Sequence, residues 1–223
     1  MAQRLSLTAV NQRLTAPPAG LRVAPACQRN ASAIANVLVD WLHDDELVIE
    51  VGCGTGQHAA WMTAALRGLR WLPTDVAPDF ATISAWRDLS AAAQSIASPL
   101  ALNAAQSDTW PLLEANALFT ANTLHIMSWS AVEQLFANMH RSLSTDSLLI
   151  IYGPFHHRGK PTSDGNARFD AELRADGGDR GIRDRGAVQA LAAATGWLQV
   201  AQYAMPANNE LLVWRTQSGV QNG

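Results

Sequence analysis

Cysteine, charge and long apolar runs are all scarce in this chain. Two cysteines, Cys27 and Cys53, occur in 223 residues. That excludes a disulfide framework, and neither has metal-ligand spacing to a histidine or to the other cysteine. A reduced, cytoplasmic protein is the expectation. Charged residues make up 16% of the chain, with a net charge of −3 and a pI near 6.0. No broad cationic surface for nucleic acid is therefore expected, although a local basic patch stays compatible with that balance. No run of about eighteen apolar residues occurs, so no membrane span is expected. Acids are missing from the first 39 residues, which hold Arg4, Arg13, Arg22 and Arg29. Such a stretch looks like an organellar presequence, but Pro17-Pro18 and the lack of a clear cleavage signal favour a flexible N-terminal arm over residues 1–22. There is no internal repeat and no low-complexity run beyond alanine richness.

With 48% hydrophobic residues the chain can bury a full core. One domain is expected over residues 23–217, followed by a disordered tail at 218–223. Asn30 is placed to cap a helix over roughly 31–43, with Ile34, Leu38, Trp41 and Leu42 on one face. Apolar strands are predicted at 47–51, 69–74, 96–102 (weakened by Pro99), 117–121 and 147–152. Helices at 58–67, 78–93 and 131–143 alternate with them, and Phe80, Ile83 and Trp86 are expected to point inward. After Gly153-Pro154 comes a polar stretch with a short helix near 165–175. A helix at 187–195 and two strands at 197–204 and 210–216 close the chain. This alternation demands right-handed crossovers. It predicts an α/β, Rossmann-like, seven-stranded and mostly parallel sheet with helices on both faces and an antiparallel C-terminal strand. Ligands of such sheets bind at the carboxyl ends of the strands, near the switch in strand order.

The strongest functional signal runs from Val48 to His58, V-I-E-V-G-C-G-T-G-Q-H. Gly52, Gly54 and Gly56 leave no Cβ between a ligand and the backbone N–H groups at a helix start. The spacing is neither the G-x-G-x-x-G of dinucleotide folds nor the G-x-x-x-x-G-K-[ST] of a P-loop. Glu50 would repel a pyrophosphate but could accept from, or pair with, a cationic ligand. After a strand, E-x-G-x-G-x-G resembles motif I of class I S-adenosylmethionine (SAM) methyltransferases; a plain tight turn is the alternative. The resemblance implies that Glu50, Gly52, Cys53, Gly54, Thr55, Gly56 and His58 line a cofactor site for S-adenosyl-L-methionine.

Other candidates follow the remaining strands. Asp75 ends the second strand, where a carboxylate accepts both hydroxyls of a ribose; a turn or cap is its bland role. Asn103 falls where methyltransferases place an acid or amide for the adenine amino group. Asp108 is its rival, and either is equally a loop residue. After the fourth strand, Asn122 can touch a cofactor or substrate heteroatom, and His125 either takes a proton or closes the pocket. Met127 and Trp129 are apolar lining. After the fifth, Gly153-Pro154 turns the chain over the site and brings Tyr152 and His156 toward substrate. His156-His157 lacks a third ligand, so no metal is expected. Arg168, Asp170, Arg183 and Asp184 form either a solvated face or a lid that clamps a carboxylate or phosphate. Arg29 and Asn30 form a second polar patch, and Asn208-Asn209 reads as a turn.

Several strings occur together: A-P-A-C-Q-R-N, E-V-G-C-G-T-G-Q-H, F-T-A-N-T-L-H-I-M-S-W, Y-G-P-F, N-A-R-F-D, G-I-R-D and P-A-N-N. In this order the chain resembles the DUF938 family, which includes the methyltransferase-like 26 proteins, over roughly residues 23–215. Gln28 and Asn103 depart from the family's glutamate and aspartate. The resemblance implies a SAM-dependent methyltransferase fold without supplying a reaction. The expectation is therefore in-line SN2 transfer of a methyl group to a small, anionic metabolite. Asn122, His125, Tyr152 and His156 would be the catalytic candidates, and Arg29, Asn30, Arg168 and Arg183 would bind the acceptor. The alternatives are an RNA (tRNA) methyltransferase and a non-catalytic interaction protein of the same fold. Oligomeric state is not legible.

Overall fold

Two units of backbone, Met1–Leu102 and Asn103–Gly223, divide the computed structural model, which describes residues 12–176 and 178–216. Half of the expected N-terminal arm, residues 1–11, and the whole expected tail lie outside the described residues.

In the first unit, α1 (Gln12–Thr15) and α2 (Pro25–Leu38) precede β1 (Leu47–Val51), α3 (Gln57–Ala65), β2 (Arg70–Asp75), α4 (Phe80–Leu89) and β3 (Leu100–Ala101). The strands are parallel in the order β3-β2-β1, with Leu47 opposite Arg70 and Val51 opposite Thr74. A parallel strand covered on both faces must be apolar without alternation; Val48 and Ile49 of β1 are both 0% exposed.

Three expectations are corrected here. Helix α2 starts earlier than predicted, with Pro25 in its first turn, where a missing N–H leaves nothing unpaired. Asn30, expected as its cap, lies inside the helix and is buried. Phe80 is exposed, while Ile83 and Trp86 are buried as expected. Steps of three residues fall short of a full turn, so Phe80 and Trp86 sit about 120° apart around the axis and only one of them reaches the core. The third strand shrinks to two residues plus an isolated bridge between Trp71 and Ile96. Pro99, between the two pairings, has no N–H to donate to a ladder. The described end of the expected arm is anchored: Leu14 is fully buried, and Trp86 Nε1 donates to the Arg22 carbonyl at 2.9 Å.

The second unit carries β4 (Ala115–Ala121), α5 (Trp129–Asn138), β5 (Leu143–His156), α6 (Asp164–Ala175), β6 (Arg183–Asp184), α7 (Arg185–Ala194), β7 (Trp197–Met205) and β8 (Asn209–Thr216). Its order is β4-β5-β8-β7 with β6 beside β5. β4 and β6 run parallel to β5, whereas β8 is antiparallel to both β5 and β7. Phe119, Phe136, Leu149, Ile150 and Val213 form its buried centre.

The fifth strand is longer than predicted. Gly153 and Pro154, expected to turn the chain, instead pair with Glu210 and Asn209 inside β5. The β4 ladder ends at Ala121–Tyr152, so the donor that Pro154 lacks is not needed on that side. Between them the units hold the seven expected strands and the short β6. The fold class is α/β and Rossmann-like, with antiparallel strands at the C-terminal end. Among the described residues no helix is long and apolar enough to cross a membrane.

Candidate active site

The loop from β1 to α3 is clipped to the end of β2. The amides of Gly52 and Cys53 both donate to the Thr74 carbonyl at 2.9 Å, and Thr74 Oγ1 donates back to the Glu50 carbonyl at 2.8 Å. Two glycines of the loop serve different ends. Gly54 (φ +54) has no atom within 4 Å of where a Cβ would stand, so its peptide borders open space. Gly56 (φ +78) has Ile83 Cγ2 at 2.9 Å from that point, so it is there for packing on α4. Asp75 accepts from the Gly54 amide at 2.9 Å and from the Val76 amide at 2.8 Å, and is partly exposed. Cys53 is buried; that burial, reinforced by the Glu50 and Asp75 carboxylates, pushes its thiol pKa up. It is a neutral small residue, not a nucleophile.

Behind the loop lies a buried polar cluster. Glu50 is 1% exposed; its Oε2 accepts from Trp71 Nε1 at 2.8 Å, and its Oε1 lies 3.5 Å from His58 Nδ1. His58 Nε2 donates to Asn30 Oδ1 at 2.9 Å. Burial opposes charge on the His58 ring, but the Cys27 sulfur and the Glu50 carboxylate outweigh it and raise its pKa to about 10. Thr55 donates to Gln57 Oε1 at 3.0 Å, and the Ala24 amide donates to the same oxygen. Glu50, Asn30 and His58, all singled out in the sequence, are thus brought together, as a brace between α2, β1 and α3. Its fourth member, Trp71, was missed. No spacing rule links a tryptophan to an acid on the neighbouring strand.

In the second unit, Asn103 forms a local turn, its Oδ1 accepting from the Ala105 amide at 3.1 Å, and Asp108 is exposed. Asn122 ends β4 in a left-handed conformation (φ 58), its amide donating to the Tyr152 carbonyl at 2.9 Å. Asparagine is one of the few non-glycine residues that adopt this conformation readily. Tyr152 is buried in β5. His125 is buried, with its ring edge-on to Phe169 at 5.1 Å. Burial, then the Arg183 charge, lower its pKa to about 4. His156 Nε2 lies 3.8 Å from Asp170 Oδ2 and has no hydrogen-bond partner among the described residues.

The arginines divide. Arg183 is occupied: its Nε donates to the Leu124 carbonyl at 3.1 Å, and its Nη2 donates to the carbonyls of Asp179, at 2.6 Å, and Met127. Asp170 is likewise tied, to the Ile182 amide at 2.6 Å and Arg174 Nε at 2.8 Å. Burial would raise its pKa, but Arg174 and the Ile182 amide hold it below the usual carboxylate range. The segment read as a solvated face or a clamp is therefore largely an internal brace that ties 179–184 to the loop after β4. Arg29 and Arg168 are exposed. Asn208 lies in the turn before β8, which Asn209 opens, and the Asn208 carbonyl accepts from the buried Asn166 at 3.3 Å.

A glycine loop that opens from the first of several parallel strands, a carboxylate ending the second, and a closing antiparallel pair define the Rossmann-like fold of class I methyltransferases. The chain belongs to the family described as a protein of unknown function, DUF938, whose model matches residues 21–216. Several solved structures share the fold. The pyocyanin biosynthetic protein PhzM superposes with a TM-score of 0.72 at 13% identity, over 86% of this chain and 56% of that one. An O-methyltransferase family 2 protein from Planctomyces limnophilus, in complex with apigenin, gives 0.72 at 13%, over 86% and 60%. Human N-acetylserotonin methyltransferase, in complex with SAM, gives 0.71 at 13%, over 86% and 52%. The chain spans between half and two thirds of the length of these proteins.

Proposed function

We propose that the protein is a SAM-dependent methyltransferase acting on a small acceptor. The observation that carries this reading is Gly54: bare peptide bordering open space, its amide bound to the partly exposed Asp75. An ionised carboxylate has about four acceptor positions, of which Gly54 and Val76 use two, leaving capacity for the hydroxyls of a ribose. The partly exposed Asp75 carboxylate beside the open peptide disfavours a pyrophosphate and suits a cationic nucleoside. When bound, SAM would supply a methyl group activated on a sulfonium, ready for transfer to a heteroatom of the acceptor.

The residues of the chain then bind and orient. Gly54 and Asp75 hold the nucleoside end, while the buried Glu50–His58–Asn30 brace keeps the loop in place. Asn122, His125, Tyr152 and His156 serve the acceptor. Neutral at pH 7, His125 suits hydrogen bonding better than the uptake of a hydroxyl proton. His156 has the Asp170 carboxylate nearby to orient its ring.

Calorimetric titration of SAM against wild type and Asp75→Ala tests the reading. Wild type should bind, and the variant should bind at least about tenfold more weakly. Equal binding by both removes Asp75 from the site, and no binding by wild type overturns the reading.

A further inference from the structure

A cavity of about 470 Å³ lies beside the connection from β5 to α6, lined by His157, Arg158, Asp184, Arg185, Gly186 and Gln189. Its volume is that of a small-molecule site. From its donors and acceptors we infer an oxyanion site, in which Arg158 and Arg185 receive a carboxylate or phosphate group of a small molecule.

The acids at this wall are already matched within the protein. Asp184 Oδ1 accepts from the amides of Gly186 at 2.9 Å and Ala187 at 3.3 Å, and its Oδ2 accepts from the Gly159 amide at 2.6 Å. Glu210, the partner of Arg185 and His157, accepts from Arg185 Nη1 at 3.1 and 3.3 Å, from Gln202 at 3.0 Å and from His157 Nε2. All four carboxylate oxygens are therefore engaged.

The cations are not equally spent. Arg185 uses Nη1 alone, which leaves Nη2 and Nε without an acceptor among the described residues. The Arg158 guanidinium has no partner among the described residues. Arg158 sits on a two-residue turn with Gly159 (φ 54 and 72), closed by paired hydrogen bonds between His157 and Lys160 at 2.9 and 3.1 Å. Asp184 holds that turn through the Gly159 amide, so the base of the Arg158 side chain has a fixed position. Two guanidiniums with donors in surplus match the planar fork of a carboxylate or phosphate.

The cavity adjoins the residues proposed for the acceptor. His157 follows His156, and Asp184 is the register partner of His156 across β5 and β6. Naming the bound group as the acceptor's anionic end rests on the methyltransferase reading; the anion site itself does not.

The test titrates inorganic phosphate and, separately, succinate against the full chain by calorimetry, for wild type, Arg158→Gln and Lys160→Gln, with SAM titrated in parallel. Glutamine is no more strained than arginine at the positive φ of Arg158, so that variant keeps the turn. Wild type should bind one of the two anions saturably; which one binds distinguishes phosphate from carboxylate. Arg158→Gln should weaken binding by about tenfold, the effect of one lost charge-assisted pair, and Lys160→Gln by no more than about twofold. Absence of saturable binding, unchanged affinity in Arg158→Gln, or equal losses in both variants overturns the site. Anion binding that survives in a protein with no affinity for SAM upholds the site and defeats only the methyltransferase reading.

Discussion

At Glu50 a nearly inaccessible carboxylate is matched by an indole N–H and faces an imidazole. Removing one member of such a cluster strands the others in a medium that cannot solvate them, at a cost of about 3–5 kcal/mol. Glu50→Ala should therefore lower the urea midpoint by that equivalent, well beyond the effect of an exposed substitution. The two buried histidines set opposite pH limbs. His58 is raised from 6.5 to about 10, so its contribution is complete below pH 6.5 and is lost as pH rises through 10. His125 is lowered from 6.5 to about 4, so stability falls as pH drops from 6.5 through 4, because the unfolded chain takes up the proton first. Unfolding free energy measured against pH should peak near neutrality. His58→Gln should flatten the alkaline limb and His125→Gln the acid limb; a profile unchanged by either would contradict these assignments. The loop glycines should also separate. With a Cβ contact of 2.9 Å to Ile83, Gly56→Ala should cost about 1–3 kcal/mol in urea unfolding. Gly54→Ala meets no atom, so it should cost only the backbone strain of about 1 kcal/mol while weakening SAM binding.

Helix α6, strand β6 and the chain between them act through a few polar ties. Arg183 spans from that chain to two carbonyls of the loop after β4. Lysine has the charge but not the fork, so Arg183→Lys should cost about 1–3 kcal/mol and speed amide exchange over residues 122–127. Exchange unchanged there would show that the loop holds itself. Element positions were largely legible from the sequence: α5, α6, α7, β7 and β8 fall within a few residues of where periodicity and caps put them. Asp184 and Ser128 cap α7 and α5 through the amides they reach, which is local chemistry. The exceptions have local causes too, in Pro99, Pro25 and the one-sided pairing of Pro154. The purpose of Arg183 was not legible, because Leu124 and Met127, whose carbonyls it reaches, lie 59 and 56 residues away and no periodicity points to them.

Taken as a whole, a chain of 223 residues with a net charge of −3 should not gather RNA by charge alone. With labelled SAM and a fractionated cell extract, label is expected in the small-molecule fraction; label in RNA would move the acceptor to the other class. The family strings are spread from Ala24 to Asn209, across nearly the whole span of the matched residues 21–216, so fold and family are legible in the sequence.

What the sequence determined by itself is whatever depends on neighbours along the chain. Strand and helix periods, turn residues and the strand–glycine loop–helix unit are local preferences that add up to an α/β fold. Tertiary structure alone decided which polar residues are spent and which are free. Glu50 and Arg183 looked like ligand contacts, yet they sit in internal networks, while Arg158, on an unremarked turn, keeps its charge uncommitted. Burial and pairing depend on residues brought close by packing, and a one-dimensional pattern carries no record of those distances.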